Sequence, residues 1–144
     1  ALGTLGVGMP FALAAQAARP DERVFLFTGD GSFGLSAMEV DTAVRHRLPV
    51  IVVVSNNAGW GDVRFEQDEL FGAGRHIASN LPGVRYDRLA RALGGHGERV
   101  ERLEDLRPAL DRAIDSGVCS VIDVPTDPTV VSELLRMVAQ LGLM

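Results

Sequence analysis

Asp30 sits inside a glycine-rich run, Gly29-Asp30-Gly31-Ser32-Phe33-Gly34, and a pair of amides, Asn56-Asn57, comes later in the chain, followed by Ala58-Gly59-Trp60. The first run fits the G-x-G-x-x-G pattern by which a strand-to-helix turn receives a dinucleotide pyrophosphate. Two features oppose a nicotinamide or flavin. The dinucleotide fold places an acidic residue at the end of the next strand to take the ribose hydroxyls, whereas this chain offers Ser55, Asn56 and Asn57 there. Asp30 would also press a carboxylate toward the diphosphate, a repulsion of about 4 kcal/mol for unit charges roughly 4 Å apart at an effective dielectric near 20.

A divalent cation between the two anions reverses that sign. Mg²⁺ takes about six hard oxygen donors, one or two of them side chains and the rest phosphate, water or backbone. Asp30 supplies an anionic oxygen, Asn57 an amide oxygen, and the Gly59 carbonyl completes a protein share of the expected kind.

These residues need two strand ends held side by side, and the pattern of the chain supplies them. Arg23 to Thr28 and Pro49 to Ser55 are short apolar runs of the type that strands buried on both faces show, and Cys119 to Val124 is a third, with a weaker strand at Glu98 to Val100. Between them lie helix-forming stretches: Gly8 to Ala18, Ser36 to about His46, Trp60 to about Glu69, Tyr86 to Leu93, Glu104 to Asp115 and Val131 to Leu141. Ser36-Ala37-Met38-Glu39 reads as a capping box opening its helix, and Phe71 to Pro82 reads as loop. Buried strands alternating with helices predict an α/β fold, a doubly wound, mostly parallel sheet with helices on both faces, which binds ligands at the carboxyl ends of its strands.

The 144 residues are 47% apolar and 23% charged, an ordinary globular composition of one domain's length. The net charge of −5 arises from 14 basic and 19 acidic residues without a basic block, so no nucleic-acid partner is expected. All the basic residues are arginine, which excludes Walker-lysine and Schiff-base chemistry within this chain. Cys119, the single cysteine, suits a reducing compartment and a core position. The apolar run over residues 1–18 is interrupted by Gly3, Gly6, Gly8 and Pro10, too short and broken to cross a membrane. It reads as the interior of a domain whose earlier part lies outside this chain.

Together, Gly29-Asp30-Gly31-Ser32 and Asn56-Asn57 resemble the diphosphate-binding signature of thiamine-diphosphate-dependent enzymes, and Gly3-Thr4-Leu5-Gly6-Val7-Gly8-Met9-Pro10 is similar to the segment that holds the aminopyrimidine ring in them. The resemblance covers most of the chain. It implies thiamine diphosphate and Mg²⁺ as cofactors, with Asp30, Asn57 and the Gly59 carbonyl on the metal. Backbone amides around Gly31, Ser32 and Trp60 would bind phosphate oxygens. Leu5 would be the apolar wedge that bends the cofactor, and the Gly3 carbonyl would accept from its 4′-amino group. Residues 1–144 would then be a single cofactor-binding domain, an N-terminally truncated part of a larger enzyme and lacking the first strand of its sheet.

Trp60-Gly61 and Leu93-Gly94-Gly95-His96-Gly97 most resemble the acetolactate-synthase-like branch, which includes benzaldehyde lyase and 2-hydroxyacyl-CoA lyase relatives. The resemblance implies a cytoplasmic homodimer or homotetramer making or breaking C–C bonds beside a carbonyl of a 2-oxo acid or aldehyde. The activating glutamate comes from a pyrimidine-binding domain, generally on a partner subunit, and no glutamate here matches it. The chain alone is therefore expected to be inactive; benzoylformate decarboxylase-type chemistry and a non-catalytic cofactor-binding module are the alternatives. His46 reads as a helix-end residue, His76 and His96 as surface residues, and Trp60 as either core or pocket wall. The acidic group Asp62, Glu66, Asp68 and Glu69 reads as a solvated helix face, with Asp62 and Phe65 near enough to the metal loop that bordering a substrate channel is the alternative.

Overall fold

A computed structural model describes residues 3–141. Its elements, in order, are α1 (Gly8–Ala18), β1 (Phe25–Gly29), α2 (Asp30–Gly34), α3 (Glu39–Arg45), β2 (Ile51–Asn56) and α4 (Gly61–Phe71). They continue with α5 (Tyr86–Ala92), β3 (His96–Arg99), α6 (Leu103–Ser116), β4 (Ser120–Pro125) and α7 (Glu133–Gln140). The four strands form one wholly parallel sheet in the order β1-β2-β4-β3.

Alternation along the central strands divides the core in two. Val50, Val52, Val54 and Val121 face α1, α3 and α5, burying Met9, Leu13, Val40, Ala43, Tyr86, Ala90 and Cys119. Ile51, Val53 and Ile122 face the opposite way, onto Ala109 and Ala113 of α6. Helices on both faces of a parallel sheet are what the apolar strands require. Pro108 is the sixth residue of α6, inside the helix, where it leaves the Glu104 carbonyl without an intrahelical donor.

Four sequence expectations change. The Arg23 to Thr28 strand is not buried on both faces. Phe25 and Phe27 pair in register with Ile51 and Val53, yet α6 packs on the other three strands, leaving Phe25 41% and Phe27 73% exposed. The capping box does not form: α3 begins at Glu39 behind Met38, with no side-chain cap, and the buried Ser36 hydroxyl has no partner. The glycine run is helical over Asp30–Gly34 rather than open loop. The weak strand begins earlier than expected, at His96, because Gly97 lets the strand lie directly against α5.

Candidate functional site

Strands β1 and β2 end level with one another, Gly29 opposite Ser55, so their following segments emerge together. Here Asp30 is only 2% exposed and its Oδ2 accepts from the Gly59 amide at 2.9 Å. Burial raises the Asp30 carboxyl above its ordinary value, opposed by backbone amides, Gly59 first, and by the charge of Arg64. A buried carboxylate whose one side-chain-to-backbone hydrogen bond is to an amide suits a cation ligand.

The Asn57 amide shows where that cation would sit. One end of it lies 2.9 Å from the Gly59 carbonyl oxygen and 3.3 Å from Asp30 Oδ1. Without an ion, Nδ2 turned to this point satisfies both oxygens. In the structure Oδ1 occupies that position, so the Asn57 oxygen stands off the Asp30 and Gly59 oxygens at spacings close to the roughly 3 Å edge of an octahedron with Mg–O bonds of about 2.1 Å. Among the described residues no cluster of three or more His, Cys, Asp or Glu could hold a metal, so this carboxylate, amide and carbonyl set has the hard-oxygen character of a magnesium site rather than a zinc site.

The site opens into a cleft of about 260 Å³ lined by Leu5, Gly29 to Ser32, Ser55, Asn57 and Gly59 to Val63. Leu5 stands at its edge, 51% exposed, and Gly3 is exposed two residues before it. The Gly6 amide donates to Ser32 Oγ at 3.1 Å, tying this segment to α2. Gly31 is obligatory: a Cβ there would lie 2.6 Å from the Trp60 ring, which is thereby a wall of the cleft and not core. Gly61 and Asp62, the first turn of the eleven-residue α4, line the same space, and the helix has no side-chain cap; an anion is favoured at such an end by its unpaired N–H groups and the helix dipole.

One expected phosphate donor is spent. The Trp60 amide donates to the Ser79 carbonyl at 2.8 Å, and Leu81 N–H to the Ala58 carbonyl at 2.8 Å, so a strap over residues 79–81 pairs with the loop over residues 57–60. The Trp60 amide is therefore not free for a ligand. Asp62 lines both this cleft and an adjoining cavity, whereas Phe65 lines only the latter.

Several residues to which the sequence assigned no individual role hold this geometry. Asn56, the end of β2, donates to Asp123 Oδ1 at 2.8 Å and accepts from the Ala58 amide at 3.1 Å, bracing a turn in which Ala58 takes a left-handed φ of 58°. Asp123 is in turn paired with Arg99 at 3.1 Å. Tyr86 Oη donates to the Asp30 carbonyl at 3.1 Å while its ring meets Phe33 edge-on, centroids 5.3 Å apart. Burial pushes the Tyr86 hydroxyl up to about 12, so it remains a donor. Tyr86→Phe should cost about 1–3 kcal/mol of stability by leaving that carbonyl unpaired, seen as a lower Tm with the fold retained. The only sequence signal was that a lone tyrosine begins an otherwise plain helix.

The histidines are not ligands of this site. His46 caps α3; His76 is half-buried against Asp68 at 2.9 Å, and His96 against Glu98 at 2.8 Å. Cys119 is core, and burial pushes its thiol up to about 12.

Residues 1–124 match the family described as thiamine pyrophosphate enzyme, C-terminal TPP binding domain. The chain is 50% identical over 128 residues to a probable acetolactate synthase of Mycobacterium bovis, covering 89% of this chain and 23% of that protein. It is 41% identical over 139 residues to a 2-hydroxyacyl-CoA lyase of Oryza sativa, covering 94% and 24%. A thiamine diphosphate-dependent 4-hydroxybenzoylformate decarboxylase of Rhodococcus jostii superposes with a TM-score of 0.78 at 30% identity, over 85% of this chain and 23% of that one. The chain thus spans about a quarter of the length of the relatives it matches.

Proposed function

Because the chain belongs to the thiamine pyrophosphate enzyme family, as its C-terminal TPP binding domain, we propose that it holds the diphosphate of thiamine diphosphate through Mg²⁺ on Asp30, Asn57 and the Gly59 carbonyl. The observation that carries this reading is the meeting of those three groups around one point beside the unpaired first turn of α4. When bound, the cofactor supplies a nucleophilic thiazolium carbon and an electron sink for the carbanion left by C–C cleavage or decarboxylation.

The chain's own part is binding and orientation. Asp30 and Asn57 fix the metal, the amides of Gly31, Ser32, Gly61 and Asp62 take phosphate oxygens, and Leu5 props the cofactor from the apolar side. The Gly3 carbonyl accepts from the aminopyrimidine. Among the described residues no glutamate lines the cleft, which supports a glutamate supplied by a pyrimidine-binding domain, on a partner subunit of a homodimer or homotetramer. No helix among the described residues is long and apolar enough to cross a membrane, and we assign the enzyme to the cytoplasm.

The reaction we favour is acetolactate-synthase-like, on a 2-oxo acid, given the acetolactate synthase relative at 50% identity. Calorimetric titration of the full polypeptide with thiamine diphosphate should show binding with Mg²⁺ and none in EDTA. Equal affinity in both would refute the metal bridge. Turnover of pyruvate, against benzoylformate and 2-hydroxyacyl-CoA thioesters, then separates this reaction from its lyase and decarboxylase rivals.

A further inference from the structure

The guanidinium of Arg64, on the first turn of α4, reaches three separate segments. NH1 donates to Asn80 Oδ1 at 3.2 Å, and NH2 donates to the carbonyls of Pro128 at 3.2 Å and Asn57 at 3.5 Å. All these acceptors are neutral oxygens, and Arg64 makes no salt bridge among the described residues. A half-buried arginine held this way gives up carboxylate pairing for a planar fork that fixes geometry, which lysine cannot reproduce.

What the fork fixes is the metal loop. It lies against Gly59, where a Cβ would come 2.8 Å from NH1, and it binds the carbonyl of Asn57 itself. Asn80 is also the residue whose backbone bridges to Gly59, and its side-chain amide is oriented in turn by His76 Nε2 at 3.4 Å, with His76 held by Asp68 at 2.9 Å. The chain Asp68–His76–Asn80–Arg64 therefore ends on the backbone of two of the three groups assigned to the metal.

We propose that Arg64 is a positioning residue for cation binding: it holds the carbonyl of Gly59 and the side chain of Asn57 at ligand spacing by clamping their loop to the 79–81 strap and to the Pro128 segment. This rests on the metal-bridge reading above and adds to it a residue outside the coordination set. Without the clamp the loop must be ordered by the ion itself, so affinity for Mg²⁺ falls while the coordinating groups remain.

The test uses the full polypeptide and follows thiamine diphosphate binding against Mg²⁺ concentration. Arg64→Ala should raise the half-saturating Mg²⁺ by roughly 10- to 100-fold, with cofactor affinity restored at saturating Mg²⁺. Arg64→Lys should not rescue it, and Asn80→Ala should give a smaller shift in the same direction. Arg136→Ala, on an exposed arginine of the same cavity, is the control and should leave the Mg²⁺ dependence unchanged. An unchanged Mg²⁺ requirement in Arg64→Ala overturns the proposal, as does full rescue by lysine. If Arg64→Ala does not fold, an unshifted Asn80→Ala together with a wild-type-like Arg64→Lys overturns it equally. Wild-type binding that ignores EDTA would instead defeat the metal bridge, a distinct result.

Discussion

Replacing Asp30 with alanine is expected to weaken Mg²⁺-dependent binding of thiamine diphosphate to the full polypeptide by roughly 10²- to 10³-fold or more. The magnitude follows from leaving a divalent ion without its only anionic protein ligand. Breaking a buried charge pair costs about 3–5 kcal/mol, and each 1.4 kcal/mol is about a factor of ten. Asp30→Asn separates charge from shape, because it can still accept from the Gly59 amide and should lose nearly as much affinity. The apoprotein should behave oppositely. A carboxylate buried without a cation is a liability, shown by the rise that burial imposes on Asp30, so the alanine variant should have a Tm equal to or above wild type. Loss of binding accompanied by a large fall in Tm would mean that Asp30 is mainly structural.

The second large effect is on folding. A Cβ at Gly97 would overlap the Asp87 carbonyl oxygen and lie 2.8 Å from its carbonyl carbon and 3.1 Å from its Cα. All three atoms belong to the α5 backbone or its root, so no side-chain rotation relieves the contact. Asp87 cannot retreat easily, since it is fully buried and grips Arg85 at 2.8 Å and Arg91 at 3.4 Å. Gly97→Ala should therefore cost about 3 kcal/mol or more, at or beyond the upper end of ordinary overpacking. Urea unfolding would read this as a lower midpoint with an unchanged slope. Stability within about 0.5 kcal/mol of wild type would show that β3 and α5 separate more readily than their packing implies.

The sheet and the meeting of Asp30, Asn57 and Gly59 were legible because their signals are local. Pro49 to Ser55 is a continuous β-branched run, and Asp30, Asn57 and Gly59 are chemical types whose pairing across two strand ends follows from parallel strands in register. The supports were not legible because each acts across the chain. Tyr86 reaches Asp30 from 56 residues away and Asp123 reaches Asn56 from 67, and nothing in their own neighbourhoods names those partners. That the Trp60 amide is already paired was hidden for the same reason: the Ser79 carbonyl that accepts from it lies in a segment that reads only as loop. Ser36 shows the reverse error, a local motif overruled when the chain enters α3 through turns that bury the hydroxyl.

The bare phenylalanines of β1 bear on how this domain can be handled. Among the described residues β1 is an edge strand, its outer margin unpaired and Phe25 and Phe27 exposed on it, and such margins recruit extended peptides. Produced in isolation, the 144-residue chain should self-associate in proportion to its concentration, and Phe27→Lys should delay the onset of turbidity without disturbing the cofactor pocket on the far side of Gly29. Light scattering over a dilution series would detect both, and equal scattering by the two proteins would place the sticky surface elsewhere.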